Sequence, residues 1–368
     1  MNIGIDARPL SYHLTGIGYY LQNILDALQV IDQENNYYLV SNKTVNYQIN
    51  NDKWSKIEGH AGGKPISSIW MQTCVPGLAR KYKFDIFWGT RHHLPLFLSR
   101  RVKRVVTIHD LVHLRYPETM QPKNLILERI LMKRSLSAAD AIISVSHATA
   151  TDIKKCYAKI QENHIHTIYS GVPQLYEAHD CSRIIVQLPQ KYFLFVGTLE
   201  PRKNIHNILR AFERLNPEKY DIYLVIVGEK GWKDKELKKY LVDYNFESRI
   251  VFTGYVSRDM MINLYKKSVC LIFPSLYEGF GFPILEAMSC GTPVITSNTS
   301  SMKEIAADAA LLVNPYDDAE IARAMRLILI DTDLRKRLIG KAALRLKHFS
   351  WERCAHKLME IFYKVTNN

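Results

Sequence analysis

Short apolar runs rich in Val, Ile, Phe and Tyr alternate along this chain with longer stretches whose apolar residues recur at three and four positions. Few folds accept that alternation: strands joined in turn by helices run parallel, and the helices must cover the faces of the sheet. In the first half the pattern predicts strands over 2–6, 37–41, 85–88, 104–108, 141–145 and 165–169, with helices near 18–29, 68–82, 122–138 and 147–157. The pattern then starts afresh. "KYFLFVGTLEPRKN" reads as a strand over 192–196 and a loop, before a helix with Ile205, Ile208, Leu209, Phe212 and Leu215 on one face. Further strands are expected over 222–227, 250–253, 269–273, 293–296 and 310–313.

With 368 residues the chain is longer than the roughly 250–300 at which one core stops growing. Two doubly wound α/β domains are therefore expected, 1–172 and 191–347, facing each other across a cleft. The polar, aperiodic stretch around 173–190 reads as their linker. The last segment, 348–368, contains "WERCAHKLMEIFYKV", an amphipathic helix with Trp351, Leu358, Ile361 and Phe362 apolar, expected to return to the first domain. No repeat of about 20–50 residues is visible.

Hydrophobic residues make up 47% and charged residues 23%, a folded-protein balance, and no stretch approaches the roughly 20 apolar residues that span a bilayer. "MNIGIDARPL" enters a strand pattern directly, without the regions of a signal peptide, so a cytoplasmic location is expected. The six cysteines are scattered without a C-x-x-C pair and read as free thiols, mostly in the core. A net charge of +13 requires an anionic partner: nucleic acid, a membrane face or phosphorylated small molecules. Lys and Arg are spread over the chain with no nucleic-acid-binding motif, which disfavours a nucleic-acid-binding protein.

"LYEGFGFPILEAMSCGTPVI" (276–295) sets Glu278 and Glu286 either side of a glycine-rich turn. Gly279 and Gly281 disfavour a helix interior and Pro283 suits a first helical position, so a helix is expected near 283, with Glu286 in its first turn. The amides of Gly281, Phe282 and Ile284 would then favour an anion or a hydroxyl-rich ligand. This turn follows the strand "VCLIFPS", and open α/β sheets bind ligands at the carboxyl ends of their strands. Two acids fit there if the ligand carries both phosphates and neutral hydroxyls. "TLEPRKN" supplies the cations: Arg202 as a planar fork and Lys203 as a compact charge, able together to neutralise a diphosphate leaving group.

In the first domain "LTGIGYY" (14–20) puts Gly16 and Gly18 at a helix start. The third glycine of G-x-G-x-x-G would fall on Leu21, so the dinucleotide fingerprint is absent. "VVTIHDL" leaves His109 and Asp110 just past a buried strand, with Asp110 also suited to capping a helix. "DTD" (331–333) reads as a helix cap rather than a metal motif. "RHH" (91–93) and "HIH" (164–166) are expected to lack a nearby acidic or cysteine partner, and a His-x-His strand pair reads as structural. No metal is expected in the chemistry.

"TGIGYY", "IHDL", "ADAIISVS", "VGTLEPRKN", "VFTGYV", "PSLYEGFGFPILEAMSCGTPVI" and "AALLVNP", in this order over nearly the whole chain, resemble the retaining glycosyltransferases of family 4. Their fold is GT-B, two Rossmann-like domains, and their E-x7-E motif corresponds to Glu278 through Glu286. Within the family the chain is similar to mannosyltransferases of bacterial O-antigen and polysaccharide synthesis. The resemblance implies that Glu286 bonds the ribose hydroxyls and that Arg202 and Lys203 hold the diphosphate. The amides at 281–285, including Ile284 and Leu285, would meet the donor sugar, and Gly18 would approach the phosphates. It places Glu278 at the reacting region, His109 under the sugar ring, and the base near Tyr255 and Val256. Transfer would be a front-face displacement without a protein nucleophile.

The resemblance alone makes GDP-mannose the expected donor, with UDP-sugars as the alternative, and the expected acceptor is a lipid-linked glycan. A sugar phosphorylase would be expected to show a lysine for pyridoxal phosphate and a much longer chain; neither is suggested. "LARKYK" (78–83) and "LSRRVKR" (98–104) could hold the protein at the inner face of an anionic membrane. "SSMKEI" departs from the family pattern, with Met302 and Lys303 where Leu-Pro is usual, so Lys303 could alter donor contacts.

Overall fold

A computed structural model describes residues 1–12, 14, 16–59, 67–172, 188–228 and 247–367. The chain divides into two compact units, one of Met1–Gly171 with Phe349–Asn368, the other of Val172–His348. Most of the linker read from sequence, 173–187, lies outside the described residues.

Among the described residues the first unit is built on seven strands: β1 (Asn2–Asp6), β2 (Asn36–Ser41), β3 (Trp54–Glu58), β4 (Ile86–Gly89), β5 (Lys103–Ile108), β6 (Ala141–Ser144) and β7 (Ile165–Thr167). Their order is β3-β2-β1-β4-β5-β6-β7, and every pairing is parallel. Winding reverses between β1 and β4, so the loops that leave these two strands diverge and open a crevice at their carboxyl ends. β3 was not foreseen because "WSKIE" buries only Trp54 and has the polar pattern of an edge. The helix expected over 68–82 is two, Ser67–Thr73 and Val75–Lys81, because Pro76 has no N–H to continue the first. The helix expected from 18 begins at Gly16 and runs to Ile31, and a short helix at Val112–Arg115 was also missed.

The final helix, Trp351–Asn367, lies on Gly16–Ile31. It buries Trp351, Leu358, Ile361 and Phe362, with Trp351 edge-on to Tyr20 at 5.8 Å and Phe362 against Trp88 at 5.9 Å. A methyl group on Gly171 would sit 2.4 Å from the Trp351 amide nitrogen, so a side chain there would push this helix away.

Among the described residues the second unit has six parallel strands: β8 (Tyr192–Val196), β9 (Tyr223–Val227), β10 (Ile250–Gly254), β11 (Cys270–Phe273), β12 (Val294–Ser297) and β13 (Leu311–Val313). Their order is β10-β9-β8-β11-β12-β13, and winding reverses between β8 and β11. The helix Ile205–Leu215 buries the five apolar residues assigned to its inner face among Phe193, Phe195 and Leu224. Each such side chain contributes about 1.5–3 kcal/mol.

Among the described residues no helix is long and apolar enough to cross a membrane. Of the described cysteines Cys270 and Cys354 are buried, Cys290 is half-buried, and Cys74 and Cys156 are exposed. The expectation that the thiols lie mostly in the core is corrected to that extent.

Candidate functional site

The reversal in the second unit decides which loops meet. β8 and β11 are neighbours, so "GTLEPRKN" leaving one and "PSLYEGFG" leaving the other emerge side by side. The backbone ties them: the Leu276 amide donates to the Arg202 carbonyl at 2.8 Å. Asn204, left-handed at φ 65°, donates through Nδ2 to the carbonyls of Pro274 at 2.9 Å and Pro315 at 2.6 Å.

This join brings three predicted residues into one cluster. Arg202 Nη1 donates to Glu278 Oε2 at 2.9 Å and Lys203 Nζ to Glu278 Oε1 at 2.5 Å. Arg202 also donates to Glu200 Oε2 at 2.9 Å and to the Tyr277 carbonyl at 3.3 Å. Glu278 is only 9% exposed. Burial alone would raise its pKa, but Lys203 and Arg202 outweigh burial and hold it at about 2. Burial also depresses Lys203, more than Glu278 raises it. The Glu278 carbonyl accepts from the Ser300 and Ser301 hydroxyls at 2.7 and 2.8 Å, so its backbone is fixed as well. Glu278 is thus a buried ionised counter-charge to two cations.

The helix after the turn spans Phe282–Ser289, one residue earlier than expected, with Gly281 at φ 110° preceding it. Three expectations are corrected. Pro283 is the second helical residue, Glu286 falls beyond the first turn, and the Ile284 amide already donates to the Gly281 carbonyl at 3.1 Å. The Ile284 and Leu285 side chains are core. Glu286 accepts the Tyr265 hydroxyl on Oε2 at 2.7 Å, and burial raises its pKa. One carboxylate oxygen is thereby held while Oε1 remains an acceptor for hydroxyls. Tyr255, 68% exposed, and the half-buried Val256 follow β10 at the carboxyl edge of the same sheet. Met302 is fully buried, whereas Lys303 is exposed on the helix Ser300–Ala306. Asp331 caps the helix Thr332–Leu346 by accepting the Leu334 amide, so "DTD" is a cap.

In the first unit His109 follows β5. Its Nε2 lies 2.9 Å from the Thr90 carbonyl, which makes it the N–H donor, and its ring stands edge-on to Tyr20 at 4.9 Å. Burial, then His92, lower its pKa to about 4, so it is neutral near pH 7 and offers Nδ1 as an acceptor. Asp110 accepts the Val112 amide at 3.1 Å, but the short helix is capped by Leu111 without a side-chain bond, so the expectation that Asp110 caps a helix is corrected. Gly16 is exposed with open space around it. Gly18 is buried instead: a methyl group there would meet Leu14 at 2.9 Å and the Pro9 carbonyl at 3.3 Å. Close packing therefore excludes a side chain at Gly18. "RHH" does have an acidic partner, Glu128, brought in by the helix Pro122–Ala138. Among the described residues no group of three or more His, Cys, Asp or Glu could hold a metal ion.

Two doubly wound sheets, with a cation-bearing cluster at one switch point and a neutral histidine at the end of a strand in the other, define a GT-B glycosyltransferase. Sequence comparison agrees: the family described as glycosyl transferases group 1 matches residues 183–345, and Glycosyltransferase Family 4 matches residues 48–174. The chain belongs to the family 4 glycosyltransferases. It is 30% identical to the O-antigen chain mannosyltransferase B of Escherichia coli, across 98% of this chain and 99% of that protein. In fold it is similar to the sucrose-phosphate synthase of Thermosynechococcus elongatus, with a TM-score of 0.78 at 19% identity over 99% of both chains. It also resembles the Anabaena protein HepE solved with UDP-glucose, with a TM-score of 0.74 at 19% identity over 99% of this chain and 100% of that one.

Proposed function

We propose that the protein transfers mannose from GDP-mannose to a growing lipid-linked glycan of the O-antigen type, with retention of the anomeric configuration. The observation that carries the donor reading is the Arg202–Glu278–Lys203 cluster at the switch point of the second unit. When the bond between the sugar's anomeric carbon and the diphosphate breaks, the electron pair goes to the leaving oxygen. Arg202 and Lys203 stabilise the charge that develops there. The acceptor hydroxyl bonds to the anomeric carbon from the same face and gives its proton to a leaving-group oxygen.

Glu278, bound to both cations at a pKa of about 2, is a poor nucleophile, which supports direct displacement over a covalent intermediate. His109, neutral, accepts a sugar hydroxyl at Nδ1, and Glu286 accepts from the ribose. The fixed cations supply the charge stabilisation that a metal would otherwise provide, so the reaction proceeds without one. Mannose is favoured by the name of the full-length relative in Escherichia coli.

A lipid-linked acceptor accords with the basic stretches of the first unit. Arg80, Lys81 and Lys83 lie just before β4, and Arg100 and Arg101 just before β5, all exposed. β4 and β5 are parallel neighbours, so these residues share the amino-terminal edge of the sheet. A six-residue strand separates that edge from His109, roughly 20 Å at 3.3 Å per residue. A surface held there would leave room for a glycan already several sugars long.

Thermal stabilisation by GDP, UDP, ADP and TDP, each with and without EDTA, tests the donor. A shift selective for GDP and indifferent to EDTA is expected, followed by turnover of GDP-mannose to a product whose anomeric configuration, read from the one-bond C1–H1 NMR coupling, is the same as the donor's. A shift with UDP alone discards mannose, and no shift with any nucleotide overturns the donor site.

A further inference from the structure

The group that positions His109 comes from elsewhere in the first unit. The His109 amide donates to His92 Nε2 at 3.1 Å, so that nitrogen carries no proton and the proton of the neutral ring is on Nδ1. His92 Nδ1 lies 2.6 Å from Glu128 Oε1, and His93 Nε2 lies 3.0 Å from Glu128 Oε2. Burial lowers the His92 pKa and Glu128 more than offsets it, yet a second proton on Nε2 would confront the His109 N–H. Burial raises the Glu128 pKa, and the two histidines hold it far below the usual carboxylate range.

The Thr90 carbonyl, from the same loop as His92, accepts a hydrogen bond from the His109 ring N–H, so the loop grips both backbone and imidazole. His92 itself is held at φ 59°, a left-handed conformation that a non-glycine residue keeps only where its surroundings over-determine it. The loop is anchored on both sides: the Leu94 amide donates to Ser135 Oγ and the Gln72 amide group donates to the Leu94 carbonyl.

We infer that Glu128 and His92 are positioning residues for the transfer reaction, with Glu128 orienting the His92 ring and His92 orienting His109. The inference rests on the proposed glycosyl transfer for its kinetic consequence, but not for its structural one. A misplacement of about 1 Å costs up to about a hundredfold in rate. Glu128→Gln is therefore expected to lower kcat roughly 10- to 100-fold while the donor KM stays within about threefold.

His92→Gln, whose amide oxygen can stand near the Nε2 position, should retain several-fold more activity than His92→Leu. The substrate-independent readout is a long-range proton–nitrogen spectrum of protein labelled in histidine. Wild type should show His92 as the Nδ1–H tautomer and His109 as the Nε2–H tautomer at neutral pH, and Glu128→Gln should move the His109 signals. Unmoved His109 signals, or a kcat within twofold of wild type, would overturn the inference. If wild type transfers no sugar from any nucleotide donor, the functional reading fails while the spectra still decide the positioning. If Glu128→Gln gives no folded protein, the His92→Gln and His92→Leu comparison decides by the same two criteria.

Discussion

Replacing Glu278 by Gln removes the counter-charge of two cations in a site where Glu278, Lys203 and Arg202 side chains are 10%, 11% and 17% exposed. The native pairing holds the Glu278 pKa at about 2 against an ordinary 4.5. At about 1.4 kcal/mol per tenfold, that difference is worth about 3 kcal/mol of stability. The sign follows from the lowered pKa: the contribution is complete above the unfolded value and is lost as pH falls through the folded one. Wild type should therefore exceed Glu278→Gln by about 3 kcal/mol at pH 7, a gap reduced to roughly half near pH 3. Urea unfolding followed by circular dichroism at pH 7, 5, 4 and 3 measures it. A gap below about 1 kcal/mol at pH 7, or one that does not change with pH, refutes the assignment of Glu278 as their buried counter-ion. On the proposed donor reading a nucleoside diphosphate restores negative charge beside the two cations, so it should stabilise Glu278→Gln more than wild type.

Tyr265→Phe removes the hydroxyl that offsets the rise of the Glu286 pKa caused by burial. Nucleotide binding by calorimetry should weaken about tenfold, as for a lost hydrogen bond to a charged group, and its decline toward acid pH should begin at a higher pH than in wild type. Gly228→Ala should destabilise the second unit by about 1–3 kcal/mol or more, measured by urea unfolding, because φ is 150° and the new methyl would lie 2.0 Å from the Gly197 carbonyl oxygen. Reversing Arg80, Lys81, Arg100 and Arg101 to Glu should weaken sedimentation with anionic vesicles at low salt by more than about a hundredfold. Activity on a water-soluble acceptor should stay unchanged.

The parallel architecture was legible because burial on both faces imposes its own pattern. β6 and β11 are four buried residues each, and "AIIS" and "CLIF" admit little else. β3 was not legible, since an edge strand with one buried side chain has almost no hydrophobic signature. Helix starts were displaced where glycine or proline has two uses. Gly16 opens a helix rather than preceding one, and Pro283 serves the second position as readily as the first.

At the site the same distinction applies to chemistry. Arg202, Lys203 and Glu278 were visible as charged residues in loops after apolar strands, but their mutual engagement follows from the adjacency of β8 and β11, which lie 74 residues apart from Val196 to Cys270. Asn204, although it ends the quoted motif, and Tyr265, which belongs to none, carry no charge, so only the assembled fold shows what they hold. Glu128 is the clearest case: it sits in an ordinary helix 36 residues from His92, and no local pattern joins them.

Both units nonetheless solve one physical problem in the same way. Without ligand, the formal charges of Arg202 and Lys203 are matched by Glu200 and Glu278, so the cluster is not an open positive patch. What remains for the diphosphate of the proposed donor is directional. Lys203 carries three N–H donors and gives one to Glu278. His109 is likewise held by a carbonyl at its ring nitrogen and by His92 at its amide, leaving one acceptor atom in a set position. Groups fixed before the substrate arrives need no reorganisation when charge develops on the leaving oxygen, and that is where a low-dielectric site gains most of its rate. On the proposed reading the buried carboxylates Glu278 and Glu128 keep the reacting groups still, and loss of either should lower turnover without weakening donor binding.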